Sequence, residues 1–432
     1  MRLKKRYFFF FLLLLLFVLA GLIVWIVKPS GQAALFKKFI QKIEQETSAE
    51  ISWSSANVNL FNDIVFDNLL IRDQQKDTLL FSHRIKVGID SWQLFSENSL
   101  SPKWSIDKIS LDDTVIYLEQ TSDSTSNYQF LIDYFQQDSL QQDQKKERNF
   151  ELELAVFEAT NLNIELDQIY NDKYLYGTLP LLNIDFQETN LPQQKIVANT
   201  FFVKDPKLLI QQKIGTDSTE VEEAGIEYLS AGDWFVFVEN FIIDNGYFTL
   251  LKGDPSYVND GTIDFEHLDI SPLDASFSCV SFYQDTLEAD IQQFQFQDVS
   301  GFKVNDFKGH VHIDKAQVEL VNLTLKTPHS QLGDYVLLKY NHLDDFRDFV
   351  NKIRIETRSR QSLLSMRDIE YFVPVLAKNN IADKLRRYEQ FRFSGQISGK
   401  VNKLRGDDLQ LKIGKRTFFD GKIRLRGLPD TE

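Results

Sequence analysis

From Ile51 to Leu425 the chain alternates apolar and polar residues with a period of two. Ile85, Val87 and Ile89 enclose Lys86 and Gly88; Leu152, Leu154 and Val156 enclose Glu153 and Ala155. Leu182, Ile184 and Phe186 enclose Asn183 and Asp185. The same pattern returns at Val318 and Leu320, at Leu409, Leu411 and Ile413, and at Ile423 and Leu425. Successive strand side chains point to opposite faces, so each segment presents one apolar and one wet face. That pattern predicts a mainly β body and favours antiparallel sheet over βαβ units. With 36 Phe against 19 Gly and 10 Pro, the composition suits long regular strands and not a disordered stalk.

Ahead of this body lies a different signal. Arg2, Lys4, Lys5 and Arg6 precede an uncharged apolar run from Tyr7 to Val27. A helix of that length spans a hydrocarbon core of ~30 Å at ~1.5 Å per residue. The run exceeds the ~7–15 apolar residues of a cleaved signal, and its small-residue cluster falls after Lys28, so an uncleaved anchor is expected. The basic residues predict a cytoplasmic tail over 1–6, an anchor over 7–27 and everything later on the far side. Residues 31–48 read as an amphipathic helix, with Leu35, Phe36, Phe39, Ile40 and Ile43 opposite Lys37, Lys38 and Lys42. The β body then occupies 51–432, with helical insertions expected near 126–147 and 362–390 and a helical turn over Leu343–Val350. Pro374 should kink the second insertion.

A loose internal repeat, Asn followed by Leu or Phe, any residue, then Ile or Leu, opens strands at Asn68, Asn161, Asn240 and Asn322. It suggests a sheet extended by similar strand groups.

Charge narrows the partners. The chain is net −14, and the part after residue 6 sets 44 basic against 62 acidic residues. Nucleic acid is therefore not an expected partner, since phosphate contacts need Lys and Arg. No broad basic patch is expected after the anchor, and attraction to anionic lipid heads is not expected to dominate. Cys279 is the only cysteine, which excludes an intramolecular disulfide; it reads as a small half-buried residue.

No catalytic constellation emerges. His310 and His312 share one face of the 308–314 strand, but no third ligand accompanies them at a recognisable spacing. They are expected on its polar face. The acidic residues scatter among turns, and no phosphate loop, nucleophile elbow or H-E-x-x-H helix is present. Neither enzyme activity, nor a cofactor, nor a metal is expected.

A long apolar sheet face must be hidden. A sandwich or barrel with a filled core is one solution. The other is a sheet curled into a trough whose apolar inner face meets acyl chains, each CH₂ gaining ~0.8 kcal/mol on leaving water. The anchor favours the trough, because its end sits where lipids can enter. The expected lining is Ile85, Val87, Ile89, Leu152, Leu154, Leu182, Ile184, Phe186, Val318, Leu320, Leu409 and Leu411. Charges at Val87, Leu154 and Ile184 are expected to block lipid passage while sparing the fold.

Several short stretches carry a family resemblance. Leu70-Ile71-Arg72-Asp73, Asp77-Thr78-Leu79-Leu80 and Ile85-Lys86-Val87 resemble the start of the TamB/AsmA-like proteins of the Bacteroidota. Asp298-Val299-Ser300-Gly301-Phe302, Leu325-Lys326-Thr327-Pro328-His329-Ser330 and Gly427-Leu428-Pro429-Asp430 are similar to later parts of that family. The anchor, the Tyr128–Phe135 segment and the Asp368–Pro374 segment fall in the family's order. The resemblance implies an elongated, curled antiparallel sheet (a β-taco groove), an inner-membrane anchor and a periplasmic body that moves phospholipid toward the outer membrane. It also implies the older reading, a translocation and assembly module working with a TamA-type outer-membrane barrel. Family members are much longer, so this chain is expected to be an N-terminal part or a truncated form.

Overall fold

The computed structural model describes residues 44–45, 47–58, 63–89, 103–122, 125–130, 151–190, 193–212, 232–253, 261–372, 390–414 and 416–427. Strands dominate them, as the alternation predicts. The expected anchor Tyr7–Val27 and nearly all of the 31–48 segment lie outside the described residues; among those described, no helix is long and apolar enough to cross a membrane. The chain divides into two compact units. One is drawn from residues 1–214 and 231–238, the other from 215–230 and 239–432.

In the first unit, β1 (Glu50–Ser52) and β2 (Ser55–Val58) pair with successive halves of β3 (Asp63–Arg72). Then come β4 (Thr78–Ile89) and β5 (Lys103–Ser122), the latter edged by the short β6 (Thr125–Ser126). Next to β5 runs β7 (Glu151–Gln168), followed by β8 (Lys173–Asn190). β9 (Lys195–Lys204) and β10 (Lys207–Gln212) cover the two halves of β8, and β11 (Gly232–Lys252) joins β9.

One pairing corrects the all-antiparallel expectation. β5 and β7 are parallel with a constant offset, from Lys103 opposite Glu151 to Gln120 opposite Gln168. Period-two alternation reports faces and not strand direction. The stretch between Ser122 and Glu151 is long enough for the crossover that a parallel pair needs.

A crease crosses this whole sheet. Asn68, Asp113, Asn161 and Asp205 adopt left-handed φ of 51°, 48°, 52° and 51°. Asn and Asp tolerate that region best among residues with a Cβ. The ladders skip Asn68 opposite His83, His83 opposite Asp113, Asp113 opposite Asn161, and Asn161 opposite Pro180. The gaps between β1 and β2 and between β9 and β10 fall on the same line. Each strand thus places two successive residues outward, and the inward apolar alternation restarts beyond them: Ile64 and Phe66 before the crease in β3, Leu69 and Ile71 after it. Side chains tie the line together, with Asn68 Nδ2 donating to Ser54 Oγ (2.9 Å), His83 Nδ1 bonded to Asn68 Oδ1 (3.0 Å) and Asn161 Nδ2 donating to Asp113 Oδ1 (2.8 Å).

In the second unit the far half of β11 lies along β12 (His267–Gln284), with Asn245 N donating to Asp274 Oδ1 at 2.8 Å. An antiparallel meander follows: β13 (Thr286–Asp298), the short β14 (Lys303–Val304), β15 (Asp306–Ile313), β16 (Gln317–Lys326) and β17 (Gln331–Lys339). It continues through β18 (Arg354–Leu364), β19 (Phe391–Lys400), β20 (Lys403–Ile413) and β21 (Thr417–Arg426). A second crease runs through Gly309, Asn322, Asp334, Gly395, Asp408 and Gly421, all at positive φ and all at register shifts or beside one. Gly is required at 395, where a Cβ would stand 2.5 Å from the Asp408 carbonyl oxygen.

Three helical expectations change in detail. Residues 343–348 form a 3₁₀ turn that runs into α1 (Phe349–Lys352), close to the expected turn. The insertion expected from residue 362 starts later, at α2 (Met366–Phe372), because Ser362, Leu363 and Leu364 pair with β19 as the end of β18. Residues 373–389, with Pro374, lie outside the described residues. The insertion expected from 126 begins as strand, since Ser126 pairs with Gln120 in β5, and turns helical at residues 129–130; residues 131–147 lie outside the described residues.

Candidate functional site: the apolar sheet faces

In the first unit, cross-strand pairing assembles continuous apolar rows. One runs Ile64, Val87, Ile109, Phe157, Ile184, Phe201, and the next Phe66, Ile85, Leu111, Ala159, Leu182, Val203. Beyond the crease, Ile71, Leu80, Ile116, Ile164, Gly177 and Leu208 form another, and Leu118, Leu166, Leu175 and Ile210 a fourth. Burial is uneven along them. Phe66, Ile85, Val87 and Ile109 have 0% exposure, Phe157 1%. From β8 onward the same face opens: Leu175, Leu179, Ile184, Phe186, Phe201, Leu208 and Ile210 are only half-buried.

The second unit repeats the design. Ala289, Val311, Leu320, Val336, Thr357, Ile397, Gly406 and Ile423 make one row, and Leu287, Ile313, Val318, Leu338, Ile355, Gly399, Leu404 and Leu425 its neighbour. Ala289, Ile291 and Val311 are buried, with Val318, Leu320, Phe294 and Phe307 half-buried against them. Leu425 is exposed.

The expected lining residues therefore fall into classes. Ile85, Val87, Leu154 and Leu182 are buried in packed sheet core. Ile184, Phe186, Val318, Leu320 and Leu411 are half-buried on the open face, and Leu409 is buried beside the crease. The side chains of Ile89 and Leu152, and the anchor ends Tyr7 and Val27, lie outside the described residues. Burial of Val87 and Leu154 corrects the expectation that charges there would spare the fold: an unpaired buried carboxylate costs several kcal/mol. Phe201, beside Ile184 before the crease, and Leu166, Leu175, Leu208 and Ile210 beyond it complete the face; the last four were missed because the crease reverses the alternation phase along the chain.

Aromatic rings close one part of the second unit's face. Phe277, Phe294, Phe296 and Phe302 follow one another at centroid distances of 5.3–6.2 Å, and Phe302 meets Tyr371 and Phe372 of α2 edge-on at 5.5 and 5.0 Å. Two motifs behind the family resemblance meet here. In the 298–302 turn Asp298 Oδ1 accepts from Ser300 N at 2.9 Å, placing Phe302 under α2. In the 325–330 stretch Thr327 Oγ1 accepts from Ser330 N (2.8 Å) and donates to the buried Asp368 Oδ2 of α2 (2.6 Å). Asp73 plays a similar part in the first unit, its Oδ1 accepting from Gln75 N and Asp77 N, both at 2.9 Å. These motif residues build turns.

The opposite faces are wet and laddered with charge. Lys86–Asp63 (2.8 Å), Arg84–Asp67 (2.9 Å) and Lys108–Glu158 (2.6 Å) cross strands in the first unit. Hydrogen bonds from Ser55 and Arg84 hold the Asp67 carboxyl below its usual range. In the second unit His310 Nδ1 bonds Asp290 (2.8 Å), and His312 bonds Glu288 (2.9 Å) and Asp314 (3.2 Å). Partial burial pulls the His312 pKa down, but the two carboxylates outweigh it and raise it overall. Both histidines sit on the polar strand face, as expected. Among the described residues no group of three His, Cys, Asp or Glu side chains could hold a metal ion.

Two further expectations change. Cys279 is exposed and sits at φ 52° beside a register shift, so it is not half-buried. A broad basic stretch does follow the apolar run: residues 390–427 carry ten Lys or Arg against three Asp or Glu, a surplus hidden by the acidity of the whole chain. Comparison with known families and curated proteins finds no family model and no curated protein that matches this chain.

Proposed function

We propose that this chain is an inner-membrane-anchored periplasmic protein that moves phospholipid between the inner and outer membranes along a curled, β-taco-like apolar groove. The observation that carries the reading is the half-buried set Ile184, Phe186, Phe201, Leu208 and Ile210, which continues a packed core outward on the same sheet face on both sides of the crease. Acyl chains laid on such a face leave water at ~0.8 kcal/mol per CH₂ and require no polar partner. The apolar run over 7–27, the period-two β body and the TamB/AsmA-like motifs support the same assignment. The competing reading is an assembly factor for outer-membrane proteins that works with a TamA-type barrel.

A photocrosslinking residue at Ile184, Phe201 or Leu320, in cells, separates the two. Phospholipid adducts at these positions, and none at the outward Asn183 or Glu319, are expected. Adducts only to an outer-membrane barrel, with no lipid at any of the three, would sink the lipid reading.

A further inference from the structure

The basic surplus is organised on one sheet face. Along β18–β21 the inward positions are mainly apolar, including Phe393, Leu404 and Leu411, while the outward ones carry a surplus of Lys and Arg over the acidic Glu356, Asp407, Asp408 and Asp420. Arg405 lies directly opposite Arg424, and Lys403 opposite Arg426. Like charges facing each other across strands destabilise a sheet, so a fold that keeps two such pairs side by side is suited to an external counter-charge. Asp407 serves Arg405 (2.6 Å) and Lys422 (3.6 Å). Arg360, Arg392 and Lys412 make no ion pair among the described residues; they surround a shallow hollow of about 120 Å³. Phe418 borders that hollow with 63% of its surface exposed.

We infer that the outward face of β18–β21 docks on an anionic phospholipid surface. Three observations favour lipid over other polyanions. The face is a broad sheet surface and not a channel that tracks a strand of phosphates. The exposed Phe418 stands beside the cations, in the same cross-strand row as Arg392, Lys412 and the half-buried Leu363, and an exposed ring among cations is the pairing that seats a protein at a bilayer interface. The chain also carries its own bilayer-length run, which keeps a membrane within reach. Each Lys or Arg near an anionic surface adds to the attraction, which falls off within a Debye length. The inference does not depend on lipid moving along the opposite face.

The test uses full-length protein reconstituted in neutral phosphatidylcholine vesicles. Capture of dye-labelled acceptor vesicles is read by flotation, with acceptors of phosphatidylcholine alone or an equal mixture with phosphatidylglycerol. Anionic acceptors should be captured at least about tenfold better, and the Arg392→Glu/Lys412→Glu variant should abolish that preference. Phe418→Ser should weaken capture at constant charge. Should the double variant lose its circular dichroism signature, Lys400→Glu/Arg424→Glu supplies the same charge change on exposed strand positions. Equal capture of both acceptors, a preference that survives charge reversal, or tighter binding of duplex DNA or polyglutamate than of anionic vesicles would overturn it. Lipid crosslinking at Ile184 reads the groove separately, so either idea can fail alone.

Discussion

Replacing Gly395 by Ala tests whether the second crease is a built element of the sheet. Gly395 sits at φ +124°, and an added Cβ would come within 2.5 Å of the Asp408 carbonyl oxygen and 2.9 Å of the Leu409 Cα. Both contacts are backbone, so no side chain can swing aside; β19 and β20 must part. The unfavourable backbone conformation costs ~1–3 kcal/mol. Weakening one ladder bond beside the bulge, where Ser394 faces Gln410 and Gln396 faces Asp407, adds ~0.5–1.5 kcal/mol. A local loss of about 2–4 kcal/mol follows, or roughly a thirtyfold to thousandfold faster opening. Hydrogen exchange read by mass spectrometry on peptides covering 391–413 measures it directly. Gly177→Ala is the control: its φ is ordinary and its nearest new contact is 4.0 Å away. Protection of 391–413 within threefold of the parent protein would refute the steric argument.

Three other outcomes follow from the structure. Val87→Asp, at a site with no exposure, should destabilise the first unit by ~3–5 kcal/mol, whereas Ile184→Asp on the open face should keep the fold and abolish lipid crosslinking; thermal melts and adduct yields distinguish them. His312 has a raised folded pKa, so its stabilisation is complete below the unfolded value of ~6.5 and fades as pH rises through the folded one. Denaturant midpoints from acid to mildly alkaline pH should therefore fall less steeply in His312→Gln, and equal slopes would exclude the linkage. Ser82 Oγ and Thr114 Oγ1 bond at 2.7 Å in full burial beside the first crease, with Ser82 also 3.1 Å from the Arg84 carbonyl oxygen. Ser82→Ala should cost ~1–3 kcal/mol, and Ser82→Ala/Thr114→Val less than the sum of the single changes, as a double-mutant cycle would show.

The strands were legible because burial on one face writes itself into period two, as at Ile85–Val87 or Leu409–Leu411. The creases were half legible. Asn68, Asn161 and Asn322, three of the four asparagines in the internal repeat, are left-handed crease residues. The repeat therefore marks where strands bend and not only where they begin. Asn240 is the exception; in that strand Asn245 takes the left-handed conformation at φ 55°. The open lining past the crease escaped notice because a phase reversal looks like the end of a strand. The direction of β7 was illegible, since a face pattern is the same read from either end. The basic face was masked by averaging, a total of −14 concealing a local surplus.

The parallel β5–β7 pair sets a timetable for synthesis. Most other described pairings join consecutive strands, and those that skip one are antiparallel where their register is given, but β5 waits for parallel partners 48 positions later along its whole length. At ~5–20 residues per second, roughly 2–10 s pass between the emergence of a β5 residue and that of its mate. During that interval most of one side of a 20-residue strand offers unpaired amides and carbonyls to any passing chain. Export in an unfolded state, or a chaperone holding β5 until β7 arrives, would keep that interval harmless. Slowing translation between residues 123 and 150 should lengthen it and raise the aggregated fraction.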